Sequence, residues 1–345
     1  MIRVGVIGYG YWGPNLVRNF AETPGAQLAA VSDMRPDRLA QAKQRYPSIR
    51  TTTDYCDLLR DPHIDAIVVA TPVASHFELA WQALQAGKHV LVEKPLTTCA
   101  DQARRLIAEA ERRHLTLMVD HTFVYSSAVG KIKELVDSEA LGNLYYYDAV
   151  RVNLGLFRHD VNVIWDLAMH DLSIMDYVLP ERPRAISATG MSHVPGEQEN
   201  IAYLTLFFDS RLIAHIHVNW LAPVKVRRAL IGGSEKMIVY DDIEPSEKIK
   251  VYDKGITLSD NSNGNGESLY KMLIGYRTGD MWAPQLDMTE ALRTEASHFV
   301  QCIEHNQRPT TDGEAGLHIV QLLEAATQSM KEQGRLVELK SGVAL

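Results

Sequence analysis

The sequence lacks most of what would mark a secreted, membrane-spanning or nucleic-acid-binding protein. Only 3 of its 345 residues are cysteine. Cys56, Cys99 and Cys302 are odd in number and far apart, without the paired spacing of a disulfide framework or a zinc ribbon, which fits a reducing cytoplasm. Basic residues are the minority: 35 Lys and Arg stand against 43 Asp and Glu, a net charge of -8. No basic stripe offsets that, so a binder of nucleic-acid phosphates, which relies on clustered Lys and Arg, is excluded. No apolar run approaches the roughly 20 residues that cross a bilayer. Met1-Ile2-Arg3 leads straight into a strand-like run, so no leader peptide is expected. What is left is a globular composition, 46% hydrophobic and 23% charged, in a chain long enough for two cores.

What is present starts with a β-branched run, Ile2 to Ile7, followed directly by Gly8-Tyr9-Gly10-Tyr11-Trp12-Gly13. Pro14 then stands in the first turn of a helix whose apolar face is Leu16, Val17 and Phe20. A second strand, Leu28 to Ser32, ends at Asp33. A lone GxGxxG says little. Between a strand and a helix, with an acid ending the next strand about 20 residues on, it is the dinucleotide fingerprint. Gly8 serves the tight turn, Gly10 the approach of backbone to pyrophosphate, and Gly13 the close packing of helix on strand. The helix N-terminus supplies N–H groups and partial positive charge for the phosphates. Asp33 suits ribose hydroxyls and would repel a 2′-phosphate, so NAD is expected over NADP. Arg35 and Arg38 soften that preference.

Strands and helices alternate up to residue 122, which implies an N-terminal Rossmann domain, a doubly wound parallel sheet over residues 1–122. Within it Val90-Leu91-Val92 runs into Glu93-Lys94-Pro95. Proline cannot continue a central ladder, so Glu93 and Lys94 fall just past the C-terminal end of a strand, where open α/β sheets bind ligands. Thr98 with Asp101 is expected to cap the next helix, which runs to Arg113. From 123 to 345 the pattern changes. A helix over 128–138 and a strand over 144–153 lead to an irregular loop holding Arg158 and His159, then to a helix over 163–179. Strands follow near 185–193, 201–208, 211–220, 225–232, 236–241 and 248–252, with little helix between them. This predicts an α+β domain built on a large, mostly antiparallel sheet. Residues 255–268 are expected to form a polar loop. Two closing helices, near 288–305 and 314–332, can pack back on the first domain.

The helix over 163–179 sets Asp166, His170 and Asp171 among apolar residues. Asp166 and His170 are four apart and share one face. Three readings stay open: a satisfied side-chain pair, two ligands of a metal, or a general acid/base tuned by a carboxylate. No third Cys, His or Glu is spaced to complete a metal site, so none is expected. The dinucleotide fingerprint favours the third reading, because taking a hydride from a carbinol carbon requires a base for the hydroxyl proton.

Gly8-Tyr9-Gly10-Tyr11-Trp12-Gly13, Thr71-Pro72 with His76, Glu93-Lys94-Pro95 and Asp166-x-x-x-His170 together resemble the Gfo/Idh/MocA family of oxidoreductases. The likeness spans nearly the whole chain, to the Glu295–Phe299 segment and the Pro309–Gly313 turn. It implies a Rossmann domain followed by an α+β domain whose open sheet builds homodimers or homotetramers. It implies that Lys94 meets both the nicotinamide ribose and the reacting hydroxyl, that Asp166 binds substrate and that His170 accepts the proton. Tyr11, Trp12, Thr71, Pro72, His76 and Glu93 would line the cofactor, and the Lys94–Pro95 bond would be cis. Val119-Asp120-His121-Thr122-Phe123 departs from the asparagine and arginine of many relatives. His121 is therefore either a substrate or cofactor contact or a strand-end histidine. Arg151, Asn153, Arg158 and His159 lie just ahead of the Asp166–His170 helix and are candidates for binding substrate hydroxyls or an anionic group; the alternative is charge pairing and solvation. The expected activity is NAD-dependent hydride transfer on a sugar, nucleotide sugar or cyclitol; Tyr11-Trp12-Gly13-Pro14-Asn15 resembles the form in relatives that act on nucleotide-linked sugars. The rival is an NAD-binding sensor of the same fold, which would need neither Lys94 nor His170.

Overall fold

In the computed structural model, which describes residues 1–155, 161–258 and 274–339, the chain divides into two units. The first is Met1–Ser126 with Met288–Glu324, the second Ser127–Asp287 with Ala325–Leu345. No helix of the described residues is long and apolar enough to cross a membrane.

Six short strands make the sheet of the first unit: β1 (Ile2–Ile7), β2 (Ala26–Ser32), β3 (Arg50–Thr52), β4 (Ala66–Val69), β5 (His89–Glu93) and β6 (Leu117–Asp120). All pair in parallel, in the order β3-β2-β1-β4-β5-β6. This is the doubly wound order that places ligands at the carboxyl ends of the strands, where the order reverses beside β1. A parallel sheet is covered on both faces, and β4 accordingly carries no polar side chain: Ala66, Ile67, Val68 and Val69 are all fully buried. Helix α1 (Gly13–Glu22) lays Leu16, Val17 and Phe20 on the sheet. The helix Ala291–His305 adds Leu292, Ala296, Phe299 and Val300 to the same core. Phe20 meets Phe299 edge to face, with centroids 6.2 Å apart.

The cap expected for the fifth helix, Ala100–Arg113, is not made. Its N-cap is Cys99 without a side-chain cap, and the Thr98 hydroxyl turns to Gln102. The Ala100 N–H is taken instead by the Glu324 carboxylate at 3.2 Å, 224 residues away. A distant acid supplied by packing has displaced the local one.

The second unit is a nine-stranded sheet around β7 (Leu144–Leu154). Its other strands are β8 (Ala185–Met191), β9 (Ile201–Phe207), β10 (Ile213–Asn219), β11 (Leu221–Gly233), β12 (Met237–Asp241), β13 (Ile249–Tyr252), β14 (Met281–Trp282) and β15 (Val337–Glu338). Among the described residues only the β7–β10 pairing of this sheet is parallel, and its other pairings are antiparallel. Two departures from the sequence pattern stand out. The stretch expected as a polar loop from residue 255 begins as a strand, Gly255–Leu258, paired with Ile274–Arg277; the remainder of that expectation lies outside the described residues. The helix over 163–179 is two pieces, a π-helical turn Ile164–Ala168 and then an α-helix, Met169–Val178. Asn162 starts it, its carboxamide oxygen accepting the N–H groups of Ile164 and Trp165.

Candidate functional site

In the first unit the glycine loop follows β1 directly, and its three glycines are required for different reasons. Gly8 has φ +102°, and a Cβ there would stand 2.4 Å from the Ala70 carbonyl oxygen. A Cβ on Gly13 would stand 2.2 Å from the Gly8 carbonyl oxygen. Both positions are closed to side chains by the protein's own backbone. Gly10 differs: a Cβ there meets nothing nearer than the Arg35 guanidinium at 3.8 Å. The fold does not demand glycine at 10, but a phosphate lying on the loop would, and in that respect these residues fit a dinucleotide. Gly10→Ala is therefore expected to leave the melting temperature within about 2 °C. It should weaken NADH binding roughly tenfold or more, as read by fluorescence titration beside a thermal melt.

Asp33 ends β2 beside this loop. Its carboxylate accepts the Tyr9 N–H at 2.7 Å and the Arg35 N–H at 2.9 Å. Burial pushes its pKa up, but these two bonds and the Arg35 guanidinium outweigh burial and hold it below the ordinary aspartate value. A carboxylate fixed at the strand end is thus ionised at neutral pH, as recognition of ribose hydroxyls requires. Tyr11 is exposed, whereas Trp12 turns inward: its indole N–H donates to Asp120 at 2.9 Å. The Trp12 side chain anchors the loop to the end of β6 across 108 residues of sequence.

Glu93 and Lys94 lie half-buried at the end of β5, and the Lys94–Pro95 bond is cis. His76 is buried behind them. One ring nitrogen lies 2.7 Å from the Pro95 carbonyl and the other 2.8 Å from the Thr71 carbonyl. Burial holds this ring below the ordinary histidine value against the pull of both carbonyls. His76 therefore packs between the Thr71-Pro72 turn and Lys94-Pro95, its ring against both carbonyls. His121 is likewise buried, 2% exposed, at the end of β6.

In the second unit, Asp166 lies on the π turn and His170 at the start of the α-helix, both half-buried. Trp220, directly after β10, donates its indole N–H to Asp166 at 3.0 Å. The π turn widens the helix by a residue at Asp166, just ahead of His170, a distortion common at functional sites. Asn153 is half-buried near the end of β7, beside Gly155, whose N–H donates to the Trp220 carbonyl at 3.0 Å. Arg151 does not belong with these groups. It is 2% exposed, and its guanidinium grips Asp171 through two bonds of 2.7 and 3.1 Å. The Tyr147 hydroxyl adds a bond to the Asp171 carbonyl at 3.2 Å. Of the two readings of Arg151, this geometry matches charge pairing: the pair fastens the His170 helix to the sheet. Arg158 and His159 lie outside the described residues. Among the described residues no group of three His, Cys, Asp or Glu side chains could hold a metal ion.

Sequence reasoning passed over Trp220, which carries no motif, and Asp120, although its place at the end of β6 repeats that of Glu93 at the end of β5. The Arg151–Asp171 pair had a faint signal, a basic residue inside a strand pattern and an acid inside an apolar helix.

Comparisons with known proteins agree with this layout. Residues 2–121 match an oxidoreductase family with an NAD-binding Rossmann fold, and residues 129–239 match the Gfo/Idh/MocA C-terminal domain. The myo-inositol 2-dehydrogenase of Thermotoga maritima is 26% identical, over 98% of this chain and 99% of its own. The oxidoreductase YdgJ of Escherichia coli is 31% identical, over 72% of this chain and 73% of its own. The solved structure of UDP-N-acetylglucosamine 3-dehydrogenase from Acidithiobacillus ferrooxidans has a TM-score of 0.80 at 24% identity, covering 96% of this chain and 98% of that one. The last is a likeness of fold.

Proposed function

Because this chain belongs to the Gfo/Idh/MocA family of oxidoreductases, we propose that it transfers a hydride between NAD and a secondary hydroxyl or ketone of a sugar, nucleotide sugar or cyclitol. The observation that carries this reading is the Asp166–His170 pair, in which a buried indole already fixes the carboxylate. An aspartate held in place by that bond is ordered before a substrate hydroxyl arrives, so meeting it costs little further ordering. His170, one turn on, takes the hydroxyl proton as general base. Lys94, at the end of β5, positions the reacting oxygen and the cofactor ribose. Bound NAD supplies the hydride acceptor at its nicotinamide ring. The Gly8–Gly13 loop, the α1 N-terminus and Asp33 hold the rest of the dinucleotide, and the charge on Asp33 disfavours a 2′-phosphate. Two of the relatives named above are by name dehydrogenases of a cyclitol and of a nucleotide sugar, which sets the range of substrates to try.

The test is a screen for NADH formation over free sugars, inositols and UDP- and TDP-linked sugars, with NAD and NADP in parallel. Turnover on one of these classes, faster with NAD, is the expected result. NADH binding without turnover on any of them would replace the enzyme by a sensor of the same fold.

A further inference from the structure

Three carboxyl groups come together inside the first unit, and the proposed chemistry uses none of them as a base. Glu93 and Asp120 are register partners on β5 and β6. Glu295, from the helix Ala291–His305, lies against Asp120. Asp120 is 1% exposed and Glu295 is fully buried. Asp120 accepts two donors, the Trp12 indole N–H at 2.9 Å and the Thr122 hydroxyl. Among the described residues, no donor reaches either oxygen of Glu295. The Tyr125 hydroxyl, which could have served, pairs with Thr311 at 2.9 Å.

Two ionised carboxylates in contact and shut away from water repel each other, and each loses its hydration. One proton between them removes the repulsion and makes a hydrogen bond. It belongs on Glu295, because two donors stabilise charge on Asp120, whereas the weak pull of Thr122 on Glu295, a hydroxyl that Asp120 already takes, does not outweigh burial. Burial, then the Asp120 charge, push the Glu295 pKa well above the usual carboxylate range.

We propose that Glu295 is a positioning residue held as the neutral acid, donating its proton to Asp120 and, through Asp120, fixing Trp12 and the dinucleotide loop. The link to cofactor affinity rests on the reading that this loop binds NAD; the shared proton does not. The charged and titratable groups facing Glu295 are Glu93 with neighbouring Lys94 from β5, Asp120 from β6 and Tyr125 from the turn that follows; His298 and Cys302 lie further along its own helix. Of these, Lys94 offsets part of the burden on Glu93 but is not among the groups acting on Glu295.

The sign of the pH dependence follows from the raised value. A group whose folded pKa lies above its unfolded one contributes stability that is whole below the unfolded value, about 4.3 for glutamate, and lost as pH rises through the folded value. Glutamine reproduces the neutral acid and cannot ionise. Glu295→Gln is therefore expected to gain melting temperature relative to the wild type as pH rises from the ordinary carboxylate range. It should also lose a protonated-carboxyl C=O band from the infrared spectrum at neutral pH. In fluorescence titrations its NADH affinity should stay within about twofold of wild type at low pH and should not fall as pH rises, whereas wild-type affinity falls. Glu295→Ala, which leaves Asp120 without this donor, should bind NADH about tenfold more weakly. No loss of the infrared band, or no pH-dependent gain in melting temperature, would overturn the shared proton. A glutamine variant as weak for NADH as the alanine variant would overturn the positioning role. A wild type that binds no NADH would instead sink the cofactor reading, and the infrared and melting arms would still decide the proton.

Discussion

His170→Ala is expected to lower kcat by about 10²- to 10⁴-fold, the usual worth of a positioned general base, with NADH affinity within about a factor of two of wild type. His170 belongs to the second unit, whereas the dinucleotide fingerprint lies wholly in the first. A residue that only takes the substrate proton is needed in the transition state and not for holding the cofactor, so its loss appears in kcat and in kcat/KM together. Lys94→Ala separates the two jobs. It sits at the end of β5, tied through Pro95 and His76 to the Thr71 turn, so its loss should weaken NADH binding as well as slow turnover. Steady-state rates at saturating NAD, beside NADH titrations of each variant, make the comparison. Turnover surviving both substitutions would reject the mechanism.

Arg151→Ala is expected to cost about 3–5 kcal/mol of stability, the penalty for leaving one partner of a buried ion pair uncompensated, and to lower the melting temperature by roughly 6–20 °C. Burial works against the Arg151 charge, and the two bonds to Asp171 more than restore it, so that its pKa stays raised. Removing the guanidinium strands Asp171, which is 4% exposed. A double replacement by apolar residues of similar volume, Arg151→Met with Asp171→Leu, should recover most of the loss, since neither charge is then left behind. Thermal melts of the three variants decide the matter. An Arg151→Ala protein that melts like the wild type but has a raised KM would show that the arginine serves substrate and not the fold.

The sheet of the first unit was legible because each local signal agreed with the next. A β-branched run, a glycine turn, a proline at the helix start and an acid ending the second strand are separate requirements of one geometry, and residues 2 to 33 meet all of them. The strands of the second unit were legible for the plainer reason that apolar alternation has period two. The cap of the helix from Ala100 was misread because Thr98 and Asp101 satisfy the local rule while Glu324 satisfies the same N-terminus from far along the chain. The π turn at Ile164–Ala168 was invisible, since a run without glycine or proline looks equally regular whether it closes at four residues or five.

By itself the sequence determined the fold class, the dinucleotide loop and the helix bearing Asp166 and His170, because spacing along the chain dictates which residues share a turn, a strand face or a helix face. Tertiary structure decided what each polar side chain there is for. His76 lies buried against the Thr71 and Pro95 carbonyls, and Arg151 is paired with Asp171, contacts that no local pattern announces. Asp120 and Glu295 were given no role by the motifs that hold them, Trp220 lies in none, and all three become meaningful only through partners 54 to 108 residues away or from another helix. A hydrogen bond or a shared proton depends on distance in space and on exclusion of water, and neither is written in the order of residues.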